Sequence, residues 1–229
     1  MITSGIFFKN FKVRKKNLKT KKNLKDLIGE QNHILQSLHK NYKDQFKIRN
    51  LRLYRKFKDV RIIGIGGSSL GTKAIYSFLR HKIKKNLLFL DNLALENKKT
   101  GSKRHLNLIV SKSGNTLETI VNSNIFINKR DKNIFITENK KNYLNLLAQK
   151  LKAEIVHHNN FIGGRYSVLS EVGMLPAELM GLNSKNFRQL NNLIKNKNYL
   201  NALVSNVSST INLIGKKKFN SIIINYDEK

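Results

Sequence analysis

The sequence predicts a doubly wound α/β domain, and three observations carry that expectation. Short runs apolar almost throughout recur along the chain, segments of helical length and periodicity separate them, and two of the runs end in turns rich in glycine and serine. Strands without polar alternation are buried on both faces, as in a parallel sheet covered by helices. Val60–Ile65, Leu87–Asp91, Leu106–Ser111, Asn133–Thr137 and Glu154–His157 read as the strands, and Leu70–His81, Thr116–Ile127 and Asn142–Leu151 as helices between them. Leu93–Arg104 has no period and reads as an irregular connection.

Ahead of this region lies a basic lead. Leu24, Leu27, Ile28, Ile34, Leu35 and Leu38 recur at near-helical spacing, so Asn23–Tyr42 reads as one amphipathic helix despite Gly29, followed by a bridge to Lys58. Behind it, Pro176 stands in the string Val172–Leu182; Phe187–Ile194 and Leu200–Ile214 look helical, and Phe219–Asn225 has a fresh strand pattern. The expected division is 1–58 as the lead, 59–182 as the sheet domain, and 183–229 as connecting helices plus a last strand that either pairs at the edge of the existing sheet or opens an incomplete second domain.

Composition narrows the function. Forty-four Lys and Arg against 14 Asp and Glu leave a net charge of +30, yet 40% hydrophobic residues suffice for a core, so the chain is not a disordered polyelectrolyte. The absence of cysteine removes disulfides and thiolate catalysis, and the six histidines show no metal-ligand spacing, so no metal or cofactor is expected. No apolar run reaches membrane-spanning length, and no signal-peptide core is evident, which predicts a cytoplasmic chain without membrane association. Lys9–Lys25 carries nine Lys or Arg and no acid, the pattern of a contact to a phosphate backbone. Lys, Ile and Asn dominate the whole sequence, however, so a general composition bias explains the run better, and a nucleic-acid partner is not expected.

In doubly wound sheets, ligands bind where strand connections change direction, beyond the carboxyl ends of the strands. The turns after Ile65 and Ser111 are therefore the places for chemistry. The first, Gly64–Gly71, lets backbone N–H groups approach an anion at a helix N-terminus. It lacks the sixth-position glycine of a dinucleotide fingerprint, where Ser69 stands, although Asp91 imitates the ribose-binding acid; no Gly-Lys-Ser/Thr follows, which excludes a P-loop. The second, Ser111-Lys112-Ser113-Gly114-Asn115-Thr116, offers three hydroxyls, a glycine amide, a helix N-terminus and a lysine charge, a set suited to a dianionic phosphate monoester. A hydroxyl opening a helix is often only a cap worth about 1 kcal/mol, but a cap needs one hydroxyl, not three.

These turns, the Thr-Leu-Glu-Thr tail of the second, and Gly163-Gly164-Arg165-Tyr166-Ser167 followed by Val172-Gly173-Met174-Leu175-Pro176 resemble, in order, the N-terminal half of the glucose-6-phosphate isomerase family. The Ser-x-Ser-Gly-x-Thr element alone marks only the wider sugar-isomerase (SIS) domain family, which includes non-catalytic regulators. The resemblance implies a SIS-type sheet binding a sugar phosphate, in a protein that is a homodimer at full length. It implies that Gly67 and Ser68 contact the sugar phosphate, that Ser111, Lys112, Ser113 and Thr116 form its phosphate cradle, and that Arg165 stabilises the enediolate of aldose–ketose interconversion.

The family's base, a glutamate in a Glu-x-x-Gly-Lys-like context, its partner-subunit histidine and its C-terminal lysine have no matching positions in this sequence. Glu118, Glu171 and Glu178 lie near recognised motifs, and none is assigned as the base. The expectation is an isomerase chain cut as its second domain begins and inactive alone. A non-catalytic sugar-phosphate-binding module is the alternative.

Overall fold

The computed structural model describes residues 18–30, 32–93, 104–128, 130–188 and 195–218. In chain order its main elements are α1 (Leu18–Gly29), α2 (His33–Ser37), α3 (Ile48–Leu51), β1 (Asp59–Ile63), α4 (Leu70–Phe78), β2 (Asn86–Leu90), β3 (Leu106–Val110), α5 (Leu117–Phe126), β4 (Lys132–Thr137), α6 (Tyr143–Lys150), β5 (Glu154–His157), α7 (Glu171–Leu179) and α8 (Lys197–Gly215). Short 3-10 turns lie between several of them. The chain divides into two units, one formed by residues 41–187 and the other by residues 1–40 together with 188–229.

The larger unit holds a parallel sheet in the order β2-β1-β3-β4-β5. β3 is buried at every residue, as a central strand should be, while β2 at the edge alternates between exposed and half-buried positions until Leu90. On one face, Ile63, Ile109 and Phe135 stand side by side and form a core with Phe126 of α5 and Leu144 and Ala148 of α6. On the other, Val60, Ile62 and Leu87 line a pocket with Pro176, Leu179 and Met180 at the end of α7. With helices on both faces, the doubly wound α/β class expected from the sequence is the fold observed.

All nine residues of α7 are buried, and the helix runs through Pro176. Proline cannot donate to the carbonyl four residues earlier. That carbonyl belongs to Val172, and Thr72 of α4 supplies the missing donor, its Oγ1 lying 3.2 Å from Val172 O. A hydroxyl from another helix thus removes the unsatisfied acceptor that would otherwise disfavour a buried proline helix.

The single helix expected over Asn23–Tyr42 is instead two. α1 ends at Gly29, and α2 starts afresh after Asn32, whose side chain accepts from Ile34 N at 2.8 Å. Gly29 and this cap fit a break better than a continuous helix. Within the smaller unit, α1 packs against α8, and buried Arg188 donates from Nε to Ser37 O at 3.2 Å. The helix expected at Phe187–Ile194 is preceded by a 3-10 turn, Ser184–Phe187, and its residues 189–194 lie outside the described residues, as do the strand pattern at 219–225, most of the connection at 93–104 and the first half of the basic run at 9–25.

Candidate active site

The order 2-1-3-4-5 puts the change of direction between β1 and β3, so a crevice opens above the carboxyl ends of these two strands. They approach closely there: a Cβ on Gly64 would lie 2.6 Å from Val110 O. The chain leaves β1 through a 3-10 turn, Gly66–Ser68, and enters α4 at Leu70. Ser69 precedes the helix without capping it, because its hydroxyl faces Gly66 O at 3.4 Å. Asp91, the imitation of a ribose-binding acid, is 3.3 Å from Lys73 Nζ.

Gly164-Arg165-Tyr166-Ser167 forms another 3-10 turn, which ends at Leu169. It rests directly on the first: a Cβ on Gly67 would fall 2.4 Å from both the carbonyl carbon and oxygen of Gly164. Buried Ser167 ties the two together, donating to Gly164 O at 2.7 Å and lying 3.3 Å from Gly67 O. Gly67, Ser68 and Arg165 are thereby brought into one assembly although about a hundred residues separate them in sequence. Arg165 is exposed, and it makes no ion pair with a described residue.

Beyond β3 the hydroxyls converge. Ser111 Oγ is 2.9 Å from Thr116 Oγ1, Ser113 Oγ is 3.5 Å from the same atom, and Gly114 N donates to Ser111 Oγ at 3.2 Å. Thr116 opens α5 without making a side-chain cap, so the first N–H groups of the helix keep their capacity to meet an anion. Gly114 has a φ of +68°, and a Cβ there would meet the Asn142 side chain at 2.2 Å, so glycine alone suits this corner. Asn142 caps α6 by accepting from Asn145 N at 2.9 Å and donates to Thr137 Oγ1 at 3.1 Å, which places it between this turn and the next β–α unit.

Lys112 has partners different from those of Ser111, Ser113 and Thr116. Its ammonium donates to Asn160 O at 2.7 Å and lies 3.3 Å from Glu138 Oε1, while Glu138 Oε2 holds Lys140 at 3.0 Å. Burial opposes ionisation of Glu138, but the two lysines outweigh it and hold the carboxyl below its ordinary value. Lys112 therefore carries its charge at a tethered position.

Glu138, Asn160 and His158 sit beyond β4 and β5 and were not singled out in the sequence. Their one legible signal was placement: each follows the carboxyl end of a strand, where the switch-point rule directs attention. Glu171 and Glu178 have structural partners. Buried Glu171 accepts from Tyr42 Oη at 3.1 Å and Gln45 N at 3.2 Å, and its burial raises its pKa; Glu178 accepts from Ser184 N at 2.8 Å. Glu118 lies in the first turn of α5, half-exposed. Among the described residues, no group of three His, Asp or Glu could hold a metal ion.

His158 is 3% exposed and donates from Nδ1 to Asn159 O at 2.8 Å. Burial, aided by Lys112, lowers its pKa from 6.5. Between the folded and unfolded values the unfolded chain binds the extra proton, so His158 supports full stability above about 6.5 and loses that support as pH falls. Glu138 adds a loss below its ordinary 4.5. Glu171, with a raised pKa, has the opposite sign and favours the fold less as pH rises. Urea midpoints from pH 7.5 to 5.5 should therefore decline more steeply in the wild type than in His158→Gln; parallel profiles would refute the assignment.

A parallel sheet of this order, with helices on both faces, is a fold that the chain shares with solved structures. The tagatose-6-phosphate ketose/aldose isomerase of Escherichia coli superposes with a TM-score of 0.51 at 16% identity, over 70% of this chain and 46% of that one. A hypothetical protein from Thermus thermophilus superposes with a TM-score of 0.61 at 23% identity, over 86% of this chain and 51% of that one.

The family is narrower than the fold. The model of the phosphoglucose isomerase family matches residues 12–221, and the chain belongs to that family. The glucose-6-phosphate isomerase of Borreliella afzelii is 36% identical over 183 residues, covering 66% of this chain and 34% of that protein. The chain spans less than half the length of the curated relatives it matches, from 28% for the Prochlorococcus marinus isomerase to 44% for that of Methanocaldococcus jannaschii.

Proposed function

We propose that this chain contributes the sugar-phosphate grip and one electrostatic group of a glucose-6-phosphate isomerase, which interconverts glucose 6-phosphate and fructose 6-phosphate through an enediol in glycolysis and gluconeogenesis. The observation that carries this reading is the Ser111–Ser113–Thr116 hydroxyl cluster at the uncapped start of α5. In this reading, those hydroxyls and the amides of the first α5 turn receive the phosphate, with Lys112 supplying charge from its tether. Gly67 and Ser68 contact the sugar phosphate from the facing turn.

Arg165 faces the reacting carbons. Its exposed guanidinium has no ion-pair partner among the described residues, which suits a group whose anion is the enediolate. A fixed cation at developing negative charge is worth about 3–4 kcal/mol. The proton-moving base is assigned to no carboxylate among the described residues: Glu138 is held by two lysines and Glu171 is buried under Tyr42. The isomerase acts as a cytoplasmic homodimer in this proposal, which family membership supports.

Calorimetric titration with fructose 6-phosphate tests the grip. Ser111→Ala with Thr116→Val should weaken binding by at least tenfold, because each lost charge-assisted hydrogen bond costs about 1.5–3 kcal/mol. Arg165→Ala should change affinity less than threefold, yet reduce turnover about a hundredfold or more in a chain carrying the family's second half. The 229-residue polypeptide alone should turn over fructose 6-phosphate at least a hundredfold more slowly than a full-length relative, since a missing general base costs about 10²–10⁴ in rate. Unchanged binding in the hydroxyl variant would refute the phosphate site.

A further inference from the structure

The sheet has a second chemically distinct end. The chain enters β1 through residues 47–58 and β2 through residues 80–85, so both segments lie at the amino ends of the strands, opposite the candidate active site. Backbone and side-chain bonds join them. Asn86 N donates to Lys58 O at 2.9 Å, and Lys85 Nζ donates to Arg55 O at 2.7 Å and also to Phe57 O. These 18 residues hold ten Lys or Arg and no Asp or Glu, against 44 Lys or Arg in 229 residues overall. They also hold four of the ten arginines in the sequence. A bias towards Lys, Ile and Asn explains scattered lysines, but it does not gather arginines at one place.

The cations are presented, not neutralised. Arg49, Arg52, Lys82 and Lys84 are exposed, and none makes an ion pair with a described residue; the nearest carboxylate in the patch's ion pairs is Glu178, 3.8 Å from Arg55. Arg80 is held in place, its Nη1 donating to Ile83 O at 2.7 Å and its guanidinium 5.1 Å from the Tyr76 ring. Phe78, two residues earlier, is 78% exposed. Guanidinium groups pair bidentately with phosphate, and an exposed ring beside them offers a stacking face for a base. Insertion into a membrane surface calls for an apolar helical face beside the cations, and this patch is built from the four-residue α3 and 3-10 turns.

We propose that the amino end of the sheet, residues 47–58 with 78–85, binds single-stranded RNA through its phosphate backbone, with Phe78 stacking on a base. This site is independent of the sugar-phosphate crevice and stands whether or not that crevice acts as proposed.

Fluorescence anisotropy of a labelled 20-nucleotide oligouridine with the full chain tests it. The variant R49Q/R52Q/K82Q/K84Q removes four charges whose side chains make no hydrogen bond or ion pair with a described residue. It should bind at least tenfold more weakly at 100 mM salt and lower the slope of log K against log salt by about 3. K19Q/K21Q/K22Q/K25Q removes four charges from α1 and should stay within twofold of wild type. Phe78→Ala should weaken binding about fivefold or more. The pairs R49Q/R52Q and K82Q/K84Q, tested separately, should each give an intermediate loss and guard against misfolding of the quadruple variant. Equal losses in the patch and α1 variants would assign the binding to overall charge and overturn the proposal. So would no RNA binding by the wild type, or binding to anionic phosphatidylserine vesicles without binding to RNA.

Discussion

Alanine at position 67 should force the Gly164–Ser167 turn away from the first glycine turn and weaken fructose 6-phosphate binding by at least tenfold. The new Cβ would lie 2.4 Å from two backbone atoms of Gly164, so no side-chain rotation relieves the clash. Moving Gly164 also disturbs buried Ser167, which bridges Gly164 O and Gly67 O. Overpacking costs about 1–3 kcal/mol and a disrupted buried hydrogen bond about 1–3 more. For a chain of this size, about 3 kcal/mol lowers the melting temperature by roughly 6–12 °C. The converse substitution is the control: a Cβ on Gly164 would meet Gly67 Cα at an ordinary 3.8 Å, so Gly164→Ala should melt within about 2 °C of wild type. Equal tolerance of both substitutions would mean that the two turns do not pack as described.

That asymmetry marks the boundary between what the sequence discloses and what it conceals. Strands such as Leu106–Val110 were legible because burial on both faces leaves a run without alternation, and the crevice followed from connection rules alone. Ser111, Ser113 and Thr116 were legible as a group because six residues of one turn bring them together. The partners from afar were not. Gly67 needs Gly164, and the Val172 carbonyl that Pro176 leaves without a helix donor is met by Thr72, a hundred residues away. Lys112 reads as a free charge, yet its tether is made of Glu138 and Asn160, which no local pattern connects to it. The helix ending at Gly29 shows the reverse failure, where an apolar period outweighed local cap signals.

Removing Asp131 should cost about 3–5 kcal/mol of stability, the usual penalty for leaving a buried charge without its partner. Arg61 stands between the apolar residues Val60 and Ile62 of β1, is 1% exposed, and is in register with Asn107, which in turn faces Asn133 across the sheet. Its Nη1 donates to Phe126 O at 3.0 Å and lies 3.4 Å from Asp131 Oδ2, while its Nε has no partner. Asp131 is the hub of this layer: Oδ1 accepts from His105 N at 3.0 Å, and Oδ2 accepts from Asn107 Nδ2 at 3.0 Å and Asn128 N at 3.3 Å. A guanidinium cannot escape by losing its proton. Asp131→Ala would strand Arg61, whereas Arg61→Met would leave a carboxylate that still accepts from three N–H donors. The double variant should therefore lose clearly less stability than the two single losses added together, by at least about 1 kcal/mol in urea unfolding. Strict additivity would show that the pair is not coupled. Because Arg61 and Asp131 lie below the crevice, towards the amino ends of the strands, the folded fraction of Asp131→Ala should bind fructose 6-phosphate with unchanged Kd, separating a loss of stability from a loss of site.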